Sequence, residues 1–107
     1  MATPSKIKIK NDYAAKFLRS LGAAIAQRRR SLGFSQYDFS DIVGLHRSYM
    51  SDVERGYRNL GTVNLVQIAQ ALQVSVSELI RVAEAMLEED QSISLPDVTD
   101  GAPTAAE

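Results

Sequence analysis

The sequence predicts an all-α fold of five helices, and three observations carry that reading. Apolar residues between Asp12 and Glu89 recur at steps of three and four, the period that lines one face of a helix. Glycines and capping residues interrupt that period at short intervals, so most of the helices are brief and the connections take only a few residues. No segment alternates strongly enough to build a sheet. The run Lys6-Ile7-Lys8-Ile9-Lys10 does alternate, but a lone strand has no partner.

The elements follow in order. Residues 1–11 read as a flexible basic arm. A first helix starts at Asp12, carries Phe17, Leu18, Leu21, Ile25 and Leu32 on its apolar face, and stops at Gly33. Ser35 caps a second helix with Asp38 at the capping-box position, and Phe39, Ile42 and Val43 are its apolar residues. Gly44 ends it after two turns. A third short helix covers about Arg47 to Arg55, with Met50 and Val53 inward and Gly56 as its stop. Tyr57 to Gly61 form a loop. Thr62 caps a fourth helix whose apolar face is Leu65, Ile68, Ala69 and Leu72. Ser75 and Glu78 form an S-x-x-E capping box for a fifth, which runs to about Glu89 with Leu79, Ile80, Val82, Ala83, Met86 and Leu87 as apolar residues. Residues 91–107 contain two Pro, one Gly, three Ala and three acids and read as a disordered acidic tail. One helical domain over residues 12–90 is expected between two unstructured ends.

Composition narrows the function. A chain of 107 residues fits one small domain and leaves no room for a second lobe or an effector-binding domain. It contains no Cys, which excludes disulfides, thiolate zinc sites and thiol catalysis. No apolar run approaches the ~18–20 residues of a membrane span, and the N-terminus lacks the apolar core of a secretory signal. A cytoplasmic protein that makes no use of a membrane is expected. The formal net charge of −1 hides an asymmetry. Residues 1–60 hold eleven Lys/Arg and five Asp/Glu, giving +6, whereas residues 61–107 hold one and eight, giving −7. Such a split fits one surface built for a polyanion and another kept away from it.

Two short helices joined at a glycine are each below the length at which a helix is stable alone. They need steep mutual packing, the geometry of a helix-turn-helix. Ser35 to Arg55 has that spacing. Small Ser40 stands where the helices approach, Gly44 permits a positive φ at the turn, and Ile42, Val43, Leu45, Met50 and Val53 fill the interior. With Met50 and Val53 inward, the outer face of the third helix carries Arg47, Ser48, Ser51, Asp52 and Arg55. Such a face can meet base edges in a major groove, which admits one helix. Arg47 suits a bidentate contact with guanine, Ser48 and Ser51 suit a base or a phosphate, and Asp52 can accept from cytosine.

Residues 21–80 resemble the Cro and lambda-repressor type (XRE-like) helix-turn-helix family. The resemblance rests on Arg29-Arg30-Ser-Leu32-Gly33-Phe-Ser35-Gln36, the Val43-Gly44 turn, Tyr49 to Gly56, and the run from Leu65 to Leu79. The stretch Tyr49 to Leu60 is similar to the restriction–modification controller branch, whose members are small dimeric transcriptional regulators. The resemblance implies a lambda-repressor-like domain that binds double-stranded DNA. It implies that Arg47 and Ser48 read bases and that Tyr49 and Ser51 touch backbone or neighbouring bases. It places Gln36 on a phosphate, and Arg58 and Asn59 near phosphate or groove. Arg28 and Arg55 join the expected backbone contacts as basic residues. Arg29 and Glu54 match an internal ion pair. Three departures stand out: Ser40 in place of the usual Ala, a first helix extended backward by Asp12 to Ser20, and the added acidic tail.

A homodimer is expected, because two-fold symmetry sets two recognition helices about 34 Å apart on successive turns of DNA. The fifth helix carries apolar residues on more than one side, and Ile80, Ala83, Met86 and Leu87 are the candidate interface. Two other readings use the same fold. One is an antitoxin-type autorepressor that holds a second protein through the fifth helix or the tail. The other is a protein-interaction adaptor. No paired carboxylates, nucleophile–base pair or phosphate-binding glycine loop points to an enzyme. His46 has no companion at ligand spacing, so neither a metal nor another cofactor is expected.

Overall fold

A computed structural model describes residues 12–90 of the chain. They form five helices: α1 (Asp12–Ser31), α2 (Gln36–Val43), α3 (Arg47–Glu54), α4 (Thr62–Ala71) and α5 (Val76–Asp90). No strand occurs among the described residues. The expected arm at 1–11 and tail at 91–107 lie outside them.

Local chemistry sets most of the boundaries. The Ser35 hydroxyl accepts from the Asp38 amide at 2.9 Å and caps α2. Gly44 ends α2 at φ 86°, and its N–H and that of Leu45 both donate to the Ser40 carbonyl, at 2.8 and 3.0 Å. A Cβ there would meet nothing, so the positive φ is what calls for glycine. The Ser75–Glu78 box is closed in both directions. The Glu78 amide donates to the Ser75 hydroxyl at 3.0 Å, and the Ser75 amide donates to the Glu78 carboxylate at 2.9 Å. That backbone donor, together with the Ser75 hydroxyl, holds the Glu78 carboxyl below the usual carboxylate value. The start of α4 differs from expectation. Gly61 is its N-cap and makes no side-chain bond, while Thr62 is already helical.

The core is built from one face of each helix. Ile25, Phe39, Met50, Ile68 and Leu72 are its largest fully buried side chains. α2 turns Phe39 and Ser40 inward, and Ser40 satisfies its buried hydroxyl on the Gln36 carbonyl at 2.7 Å. Ile42 falls outside that arc and is 55% exposed, so it does not join the interior as expected.

α5 lies along α1, the most extensive packing in the molecule, and also meets α4. Its apolar residues form one broad arc rather than two faces. Leu79, Ala83 and Leu87 are buried within the chain, which corrects the expectation that Ala83 and Leu87 face a mate. Ile80 and Met86 pack half-buried against the core edge, and Val82 is the one large apolar residue of the described helix that is openly exposed.

Two features fix α3 against α1. The first is steric: a Cβ on Gly22 would fall against the carbonyl oxygens of Val53 and Glu54, the latter at 2.5 Å. The second is polar. The Arg29 and Glu54 side chains are 8% and 7% exposed and pair in two bonds, Nε to Oε2 at 2.7 Å and Nη2 to Oε1 at 2.9 Å. Arg29 Nη1 also donates to the Phe34 carbonyl at 2.8 Å, and Gln36 Nε2 donates to Glu54 Oε1 at 2.9 Å. One carboxylate thus gathers α1, α2 and the end of α3.

Glu54→Ala strands the Arg29 guanidinium in this buried setting and should cost about 3–5 kcal/mol in chemical denaturation. A midpoint equal to that of the unchanged protein contradicts the assignment. Gly22→Ala gives a test of sign. In an open helix this change stabilises by about 0.5–1 kcal/mol. Here it should destabilise by about 1–3 kcal/mol, because the obstacle is backbone.

Candidate nucleic-acid interface

With Met50 and Val53 buried, the opposite side of α3 is open. Arg47, Ser48 and Arg55 are exposed and Ser51 and Asp52 half-exposed. Arg47, Ser48 and Ser51 make no side-chain hydrogen bond or ion pair among the described interactions, so their donors are free for a ligand. His46 sits at the N-cap of α3, exposed and without a capping bond from its side chain.

The rest of the surface is organised around Asp52. Its Oδ1 accepts from Arg55 Nη2 at 2.8 Å, and its Oδ2 lies 3.6 Å from Arg58 Nε. Arg55 also lies over the ring of Tyr57 at 4.7 Å, and Arg58 over the ring of Tyr49 at 5.1 Å. The Tyr49 hydroxyl accepts from Asn64 Nδ2 of α4 at 3.2 Å. The loop after α3 is thereby tied back to the helix, with Arg58 and Asn59 exposed on it. Sequence reasoning placed Tyr49, Asp52, Arg55 and Arg58 on this surface but missed that they bind one another. The spacing of Asp52 and Arg55, one helical turn apart, was the available signal.

Two residues expected on DNA are occupied elsewhere. Arg28 Nε donates to the Leu72 carbonyl at 2.9 Å, beside Gln73, whose φ of 63° is left-handed. Arg28 therefore caps the end of α4 and does not join the α3 surface. Gln36 stands at the start of α2 with its amide nitrogen on Glu54, so it buttresses α3 whatever else it touches. The exposed acids Glu84, Glu88 and Glu89 belong to α5, which has no substantial packing with α3. Among the described residues no cluster of His, Asp and Glu is placed to hold a metal, and no single helix is long and apolar enough to cross a membrane.

The arrangement is a short helix held rigidly at its buried side, with open hydrogen-bonding side chains and positioned arginines outside. It suits a grooved polyanion. Comparison with known proteins agrees. Residues 25–79 match the family described as helix-turn-helix. The chain is 38% identical over 69 residues to control protein C.MunI of a Mycoplasma species, covering 64% of this chain and 89% of that protein. It is 47% identical over 60 residues to control protein C.BamHI of Bacillus amyloliquefaciens, covering 55% and 74%. The crystal structure of the restriction-modification controller protein C.AhdI from Aeromonas hydrophila superposes with a TM-score of 0.56 at 39% identity, covering 58% of this chain and 94% of that one. The chain belongs to the helix-turn-helix family of DNA-binding transcriptional regulators, and its relatives include restriction-modification controller proteins.

Proposed function

We propose that the protein acts as a homodimer that reads a palindromic or near-palindromic operator with α3 in the major groove, as a controller-type regulator in the cytoplasm of a bacterial cell. The observation that carries this is the open row of Arg47, Ser48 and Ser51 on a helix whose other side is fixed by Met50, Val53 and Glu54. Arg47 supplies a bidentate fork for guanine. Ser48 and Ser51 bond to neighbouring base edges. Tyr49, Arg55, Arg58 and Asn59 hold the DNA backbone, with Gln36 at the start of α2 beside them. In this reading Asp52 serves the arginines rather than a base, since its Oδ1 accepts from Arg55 and its Oδ2 lies 3.6 Å from Arg58 Nε.

One short helix spans only a few base pairs, and a dimer doubles that reach. Apolar side chains remain to meet a mate. Val63 and Val66 on α4 and Val82 on α5 are exposed, and Ile80 and Met86 are half-buried.

Fluorescence anisotropy on a duplex recovered by selection tests the roles. Arg47→Ala should cost about 1–3 kcal/mol on that duplex and relax the preference at one position of each half-site. Arg58→Ala should weaken binding to all sequences and flatten the salt slope by about one. An unchanged preference in Arg47→Ala refutes the placement of α3. Sedimentation at tens of micromolar should give a dimer, and a monomer there refutes the two-fold arrangement.

A further inference from the structure

Asp52 is an anion at the centre of a surface meant for phosphates, and its neighbours say what it does there. Its partners are only partly screened from water: the side chains of Asp52, Arg55 and Arg58 are 31%, 56% and 52% exposed. Ion pairs of that exposure add little to stability, so stability does not account for it. Base reading is not needed to account for it, since Asp52 Oδ1 already accepts from Arg55 and Oδ2 lies 3.6 Å from Arg58 Nε.

What remains is geometry. Each arginine is held from two directions, by Asp52 and by a tyrosine ring. Tyr49 is anchored in turn by Asn64 on α4. Free arginine side chains lose rotamer freedom when they close on a phosphate, and prior fixing lowers that cost only for a phosphate in the right place. Arg58 turns its Nε toward Asp52, which leaves the paired Nη edge for an incoming oxygen. The charge acts at the same time. A backbone that engages both arginines finds the carboxylate neutralised, whereas one docked elsewhere meets an anion.

We infer that Asp52 is a specificity-determining residue that touches no base: it positions Arg55 and Arg58 for the phosphates of a correctly docked duplex and disfavours every other docking. The inference rests on the DNA-reading function proposed above and names a residue through which that function is tuned.

The test compares the full chain with Asp52→Asn on two duplexes, one recovered by selection and one scrambled version of equal length, across a series of salt concentrations. Asp52→Asn should bind the scrambled duplex about tenfold more tightly, with a salt slope steeper by about one, because one repelling charge is gone. The selected duplex should gain less, so the ratio of affinities falls. In an Arg55→Ala/Arg58→Ala background the same change should leave the ratio where it is. Equal changes on both duplexes overturn the inference, as does a lowered melting temperature with an unchanged ratio. A new base preference at one position makes Asp52 a base reader and overturns it too. If the unchanged protein fails to distinguish the two duplexes, the function itself is at fault. If it distinguishes them and Asp52→Asn does so equally well, only the inference falls.

Discussion

The ion pair between Arg29 and Glu54 is the constraint on which the recognition surface depends. α3 is only two turns long and is not stable alone. Met50 and Val53 bury one side of it, but apolar contacts by themselves tolerate small rotations and slides. The bidentate pair does not, since its bonds require one orientation of two planar groups. Pairs of this kind add little net stability over apolar packing, because desolvation offsets the attraction, while loss of one partner is costly. Its value here lies in register. It sets the end of α3 against α1, and through Phe34 and Gln36 it sets α2 against both. The contact at Gly22 works on the same end of α3, allowing the carbonyls of Val53 and Glu54 to come against α1.

Outward from that anchor, two kinds of side chain divide the work. Among the described residues Arg47, Ser48 and Ser51 make no side-chain hydrogen bond or ion pair, and in the proposed function they adapt to base edges. Arg55 and Arg58 are held by Asp52 and by aromatic faces, and in the proposed function they meet the backbone with less freedom to lose. Contacts of the second kind set register on the duplex, and contacts of the first kind specify sequence. The charge asymmetry of the chain follows the same plan. The exposed arginines lie around α3, while the exposed acids Glu84, Glu88 and Glu89 lie on α5, which packs on α1 and α4 and has no substantial packing with α3.

Much of the fold was legible because its signals are local. Ser35, Gly44, Ser75 and Glu78 mark helix ends by chemistry within four residues. Gly61 carries no such mark, so the sequence points to Thr62 as the cap of α4. The inward reading of Ile42 fails because a two-turn helix has too few positions for its period to decide which apolar residues face in. Ala83 and Leu87 read as interface residues in the sequence because a broad apolar arc looks the same whether its partner is α1 or another chain. The site was legible as a surface and less so as a set of contacts. The Arg29–Glu54 pair came from the family motif rather than from spacing. The bond from Arg28 to the Leu72 carbonyl joins residues 44 apart in the chain and leaves no local trace. The Asp52 cluster closes through a loop whose path the sequence does not specify.

On the proposed function, α3, fixed from its buried side, reads sequence in a two-fold arrangement. Selection from random duplex DNA with the purified full chain, repeated at two salt concentrations, tests it most directly. The expected result is a palindrome whose half-sites lie one helical turn apart or a simple multiple of it, with the same site recovered at both salts. Binding that is salt-sensitive but recovers no common sequence would contradict it, leaving the basic surface as a sequence-blind anion grip.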